Sequence, residues 1–172
     1  MPILPTRRDP RLITVRRGGT LPDEHHRLLM TWSIACADHV IHLFDREVPH
    51  DPRPHDALQT ARAWLRGDAA MKDAHRSAFA ANAAAKGLPD PARLAALSAG
   101  QAAAVAHVAA HDLGAAAYAI RAASAAAAPE HADAARRAER DWQRAQLPDA
   151  VRDLVLEDQS ARSGICWHAF DD

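Results

Sequence analysis

The chain has 172 residues and a net charge of −1, with 48% apolar and 25% charged residues. This length suits one domain with its own core, and the composition is that of an ordinary globular protein. A near-neutral chain has no overall field to attract nucleic acid or an anionic membrane, so we expect it to bind neither.

The start of the chain, Met1 to Arg8, lacks the apolar core of a signal peptide, and no apolar run reaches the roughly 18 residues of a membrane span. We therefore expect a cytoplasmic protein. In that compartment Cys36 and Cys166 stay reduced.

Residues 1–19 are rich in proline and arginine and are expected to form an extended basic arm. A first helix follows from Pro22 to Val48, capped by Thr20, and a second runs from Pro54 to Arg66. A third helix starts after a cap at Asp68 and ends at Gly87.

From Pro91 to Ala128 the pattern stays helical, and a bend or break is expected near Leu113 and Gly114. The next helix opens at Pro129, and a short last helix opens at Pro148. The residues expected to face inward in the Pro129 helix are Ala134, Ala135, Ala138, Trp142 and Ala145.

No segment alternates apolar and polar residues as a half-buried strand does. The predicted fold class is therefore all-α, an irregular bundle of about six or seven helices in a single domain. The helical domain is assigned to residues 20–158, and residues 159–172 are expected to form a tail that packs back on it.

The segment His107-Val-Ala-Ala-His111 is the most specific candidate for chemistry. Two histidines four residues apart share one face of a helix, as in helical metal sites, although the Glu of the zinc-protease motif is absent. A further ligand would come from His25, Asp38 or His39 on the first helix. With Tyr118, these residues could line a crevice for a metal or small ligand. The alternative is that the histidines are structural groups between packed helices.

Common catalytic motifs are absent from the sequence, and no cofactor is expected. Candidate surfaces for a partner are instead the basic arm, the loop at residues 49–56 and the acidic last helix. The residues proposed for contact there are Arg53, His55, Asp149, Asp153 and Glu157. The alternative is that all three segments are ordinary solvated surface.

Four segments, in order, resemble the immunity protein family of bacterial polymorphic-toxin systems. They are Asp23–Val40, Ala61–Gly67, His107–His111 running into Ala115–Ala119, and Trp142–Pro148. The resemblance covers roughly residues 13–156. It implies a protein that binds and neutralises a cognate protein toxin stoichiometrically, without catalysis.

The alternative function is a metal- or small-ligand-binding helical protein, or an enzyme, built around His107, His111 and Tyr118. Alanine-rich helices that are exposed also pair readily, which leaves a homodimer open.

Overall fold

The computed structural model describes residues 3–172, in which α-helices are joined by short turns. The helices are α1 (Asp23–Val40), α2 (His42–Glu47), α3 (Arg53–Arg66), α4 (Met71–Ala84), α5 (Ala92–Ala104), α6 (Asp112–Ala126), α7 (Ala132–Ala145) and α8 (Asp149–Arg162). Since α2 continues α1 beyond Ile41, they form a bundle of seven helices, and residues 3–172 contain no strand. The predicted all-α, single-domain fold is confirmed.

The longest helix, α1, lies in the middle of the bundle. It contacts α3, α5, α6, α7 and α8, and its buried residues lie on most of its sides. The helix begins at Asp23 after an N-cap at Pro22, so the expected cap at Thr20 is wrong. Asp23 and Glu24 occupy the first turn, where a negative charge is favoured by the helix dipole.

Helices α5 and α6 form an alanine-rich layer beside α1. Because alanine is small, neighbouring backbones can approach closely. The closest approach is at Gly100, where a Cβ would lie 3.1 Å from the Ala78 carbonyl oxygen of α4 and nearer still to Asn82 Oδ1. A side chain at this position would therefore displace the Asn82 amide and push the α4 backbone slightly away from α5.

The long helix predicted from Pro91 to Ala128 is interrupted at residues 105–111, and not near Leu113 and Gly114 as expected. This stretch, the α5–α6 linker, contains a turn followed by the 3₁₀ segment Ala109–His111. Leu113 and Gly114 belong to the first turn of α6. His107 and His111 therefore do not share the face of one α-helix.

Backbone carbonyls of the α5–α6 linker accept hydrogen bonds from side chains elsewhere in the chain. The pairs are His26 Nε2 with Val105 at 2.6 Å, Arg17 with His107 at 2.8 Å and Arg162 with Ala110 at 2.8 Å. A buried carbonyl without a partner is costly, so these donors stabilise a break in the helix.

The side chain of Arg162 is buried between two carboxylates. It forms ion pairs with Asp112, at 3.3 Å, and with Asp158, and all three side chains are less than a tenth exposed. Burial raises the pKa of Asp112 to about 7, although Arg162 acts in the opposite direction. This cluster joins the end of α8 to the start of α6.

Residues 3–22 differ from the extended arm that the sequence suggests. They form two 3₁₀ turns, Pro10–Leu12 and Val15–Arg17, and bury Leu12 and Leu21. Arg11 also pairs with Glu157 of α8 at 2.7 Å. The segment therefore packs along the domain.

Helix α7 buries a polar face, and the inward alanine face predicted for it is wrong. Glu139, Arg140 and Gln143 are buried, whereas Ala134, Ala138 and Ala145 are exposed and Ala135 and Trp142 are partly buried. The Gln143 amide donates to Glu139 at 2.9 Å and to the Ala116 carbonyl at 3.2 Å. These hydrogen bonds satisfy the Gln143 amide nitrogen, although its Oε1 is left without a partner, and they offset much of the cost of burying the polar face.

The tail after α8 packs against α7 and α6. Cys166, Ala169 and Phe170 are buried. From α7, Arg136 donates to the Ala169 carbonyl at 3.2 Å and Arg144 to that of Phe170 at 2.9 Å. The helix α8 ends at Arg162, so this tail is shorter than the 159–172 expected.

Replacing Gly100 with Ala is expected to lower the free energy of unfolding by about 1–2 kcal/mol, because the new Cβ displaces the Asn82 amide and crowds the Ala78 carbonyl of α4. This loss exceeds the gain of up to about 1 kcal/mol that Ala brings to a helix. Urea unfolding measures the change. The control is Gly164→Ala, where a Cβ meets nothing within 4 Å. A more stable Gly100→Ala protein would contradict the close packing of α4 on α5.

Replacing Arg162 with Met is expected to lower the free energy of unfolding by about 3–5 kcal/mol, since two buried carboxylates lose their cation. Thermal and urea unfolding at neutral pH measure the loss. The control is Arg137→Met on α7, whose side chain is 48% exposed. Equal losses in both variants would show that the buried cluster does not stabilise the fold.

Candidate functional site

A crevice between α4, α5 and the α5–α6 linker brings together His107 and His111, the two residues that the sequence singled out. It encloses a recess of about 170 Å³. The residues that line it are His75, Ala78, Phe79, Asn82, Gln101, Ala104, His107 and His111. We call this the histidine crevice.

Three imidazoles form a row along the crevice. The ring centroids of His75 and His107 are 4.5 Å apart, and those of His107 and His111 are 5.9 Å apart. Phe79 extends the row, edge-on to His75 at 4.9 Å. The row depends on the α5–α6 linker, which turns His107 and His111 towards α4.

His111 is neutral at physiological pH. Its Nδ1 lies 2.7 Å from Gln101 Oε1, and because that oxygen can only accept, Nδ1 carries the proton. Burial, followed by the nearby charge of His107 and then of Arg162, lowers the pKa of His111 to about 4. Burial, followed by His75 and then Arg17, also lowers the pKa of His107. Burial thus favours the neutral form of both His107 and His111.

Two buried polar atoms of the crevice have no hydrogen-bond partner within residues 3–172. They are Asn82 Oδ1 and His107 Nδ1. Asn82 lies against Gly100, where a larger residue would displace it. A molecule that enters the recess can therefore donate a hydrogen bond to Asn82.

The other residues proposed as ligands lie elsewhere. Tyr118 packs against Trp167 with ring centroids 5.0 Å apart, and Asp38 pairs with Arg62. His25 is on α1 and does not line the crevice. The combined site of His107, His111, Tyr118 and a donor from the first helix is therefore not assembled.

His39, also proposed as a ligand, stacks on Trp142 at 3.7 Å and lies 2.7 Å from Glu139 through Nδ1. Across residues 3–172, no group of three or more His, Cys, Asp or Glu is placed to hold a metal ion. Asp38 and His39 are thus engaged by other residues of the chain.

Neither cysteine is an activated nucleophile. Burial raises the pKa of Cys36, and it raises the pKa of Cys166 to about 11. Both thiols therefore remain protonated at neutral pH. Because only the thiolate is a good nucleophile, they are unreactive.

The residues proposed for partner contact lie in two separate regions. Arg53 pairs with Asp51, and His55 lies 2.7 Å from Asp45 of α2. Along α8, Asp149 lies 3.5 Å from Arg152, Glu157 pairs with Arg11, and Asp153 is exposed. None of these residues lines the histidine crevice.

The exposed apolar residues of α4 are not among the site residues predicted from the sequence. Phe79 is 63% exposed and Met71 is 39% exposed, and both lie on one stripe of α4 with His75. One signal in the sequence could have identified Phe79. The alanine stripe of Ala74, Ala78 and Ala81 is enough to form the buried face of α4, and Phe79 lies outside that stripe.

These features define a small all-α domain with a concave face of three imidazoles and an exposed phenylalanine. No helix within residues 3–172 is long and apolar enough to cross a membrane. A family model described as "Imm-5 like putative immunity protein" matches residues 19–150, about three quarters of the chain. The chain therefore belongs to this immunity protein family, and the resemblance noted in the sequence is confirmed. No curated protein and no solved structure matches the chain.

Acid is expected to destabilise the protein through His111. Because the folded pKa, about 4, lies below the unfolded value near 6.5, stability from this group is lost as the pH falls from about 6.5 to about 4. The loss amounts to at most about 3 kcal/mol. Urea unfolding of wild type and His111→Asn at pH 7 and pH 4.5 measures it. The variant should lose less stability than wild type between these values. Equal losses would contradict a buried, neutral His111.

Proposed function

We propose that this protein neutralises a cognate bacterial toxin by binding it in a stoichiometric complex, without turnover. The observation that carries the proposal is the family match over residues 19–150, because an immunity protein family implies a toxin as partner. The protein would act in the cytoplasm of a bacterium with a polymorphic-toxin system.

The chemistry of the crevice favours binding over catalysis. A general base works best with a pKa near the operating pH, whereas the pKa of His111 is about 4. Both thiols are held protonated by burial. The exposed Phe79, in contrast, is the kind of aromatic residue that anchors protein interfaces.

An inhibitor of this kind needs an interface of roughly 1,600 Å² in total to cover a toxin's active site or hold the toxin inactive. The loop with Arg53 and His55 and the α8 residues Asp149, Asp153 and Glu157 remain candidate contacts. The histidine crevice is a further candidate that the structure adds.

The proposal predicts that one molecule of this protein inactivates one molecule of toxin. The tagged protein is used as bait in the native bacterium, and the toxin recovered is identified by mass spectrometry. The toxin is then titrated with purified protein, and its activity should fall to zero at an equimolar ratio, with or without a chelator. Inhibition by a small fraction of an equivalent would indicate an enzyme. Failure to recover any toxin would contradict the proposed function.

A control separates binding from the metal-site alternative. Protein purified without chelator is analysed for bound metal by native and elemental mass spectrometry, together with His107→Ala and His111→Ala. Stoichiometric metal that these substitutions abolish would favour the alternative function.

A further inference from the structure

The surface beside the histidine crevice combines an apolar centre with a basic margin. Met71, His75 and Phe79 lie four residues apart along α4 and so form one stripe, which we call the α4 face. Phe79 and Met71 are two of the three large apolar side chains that are exposed within residues 3–172. A cluster of this kind next to a recess is typical of a protein contact site.

The recess behind the α4 face has the size of one side chain. Its volume is about 170 Å³, whereas pockets for drug-sized ligands usually measure about 300–1,000 Å³. Its walls are apolar at Ala78, Phe79 and Ala104, and Asn82 Oδ1 is an unused acceptor. An aromatic side chain that carries a hydrogen-bond donor, tyrosine or tryptophan, satisfies both features.

The margin of the α4 face is positive. Arg8 and Arg17 lie on the arm next to His107, and both oppose its protonation electrostatically. Lys72 follows Met71 on α4 and is exposed. The nearby carboxylates have their own cations, since Asp23 pairs with Arg16 and Asp73 with Arg76. Carboxylates on a partner would complement the remaining positive charge.

We propose that the α4 face and the histidine crevice bind a carboxylate-rich surface of the toxin, which inserts one tyrosine or tryptophan into the recess. This inference rests on the proposed function and names the surface that performs it. Of the surfaces that the sequence suggested, it includes only the N-terminal arm, through Arg8 and Arg17. The 49–56 loop and α8 are left out, because Arg53, His55 and Glu157 are already paired within this chain.

The test compares dissociation constants of the full chain and its variants for the toxin recovered by the pull-down. Phe79→Ala removes the exposed ring and should raise Kd at least ~30-fold, as expected for an interface anchor. Arg8→Glu should raise Kd about tenfold at low salt, chiefly through slower association, and the effect should vanish at about 1 M NaCl. Both side chains are exposed, so circular dichroism should show an unchanged fold.

The matched charge control is Arg137→Glu. Arg137 is an exposed arginine on α7, whereas α4 packs mainly on α3 and α5. Its Kd should stay within about twofold of wild type. The competing surfaces are tested by Arg53→Glu and Asp153→Lys, which should also have little effect.

The two proposals fail in different ways. If wild type binds the toxin and only Arg53→Glu or Asp153→Lys weakens the complex, the α4 face is wrong and the proposed function stands. If wild type binds no toxin, the proposed function fails and this inference fails with it. Light scattering without toxin should give a monomer. A dimer dissociated by Phe79→Ala, or an oligonucleotide complex abolished by Arg8→Glu, would overturn the assignment.

Discussion

The placement of the candidate site depends on the hydrogen bonds that keep the α5–α6 linker out of a continuous α-helix. Its carbonyls are bonded by side chains from the arm, α1 and α8, namely Arg17, His26 and Arg162. Without such donors the continuous helical pattern from α5 to α6 would favour a single long helix, in which every carbonyl finds its partner four residues on. The break turns His107 and His111 towards α4 and makes the crevice. Both terminal segments therefore contribute to the geometry of the site, through Arg17 and Arg162.

Small residues determine how near α4 lies to this linker. Gly100 allows Asn82 and the backbone of Ala78 to approach α5, and Gly114 leaves room for Gln101, whose amide oxygen accepts from His111. Each amide is placed by a glycine on the neighbouring helix. Close packing thus orients the polar groups of the recess, and because the recess is partly desolvated the pKa values of His107 and His111 are lowered. The buried face of α7 follows the same rule, since Gln143 and Glu139 are accepted only because each finds a partner.

The local sequence pattern predicts the positions of the helices well, but it does not predict the position of the α5–α6 linker. The segment Arg53–Arg66 was placed to within one residue, because Pro54 and Gly67 mark its ends and Gly67 adopts a positive φ of 83°. The break at residues 105–111 has no such marker, since its donors are far away in the sequence. Periodicity also failed for α7, because an alanine stripe is apolar enough to be either buried or exposed, and Arg140 was not expected inside. The histidine pair was found by spacing that assumed a helix, yet the two rings do meet, through the linker.

The same contacts divide the site into a part that the fold needs and a part that it does not. Arg17 and His107 belong to both, since the Arg17 guanidinium bonds the His107 backbone while lying at the margin of the crevice. A change at Arg17 would therefore alter stability and binding together. Phe79, Met71 and Arg8 are exposed, and their replacement leaves the core and the linker intact. On the proposed function, specificity for a different toxin would arise most readily through these outer residues, because changes there leave the buried contacts in place. Because α4 packs mainly on α3 and α5 and leaves Met71 and Phe79 exposed, that separation is possible.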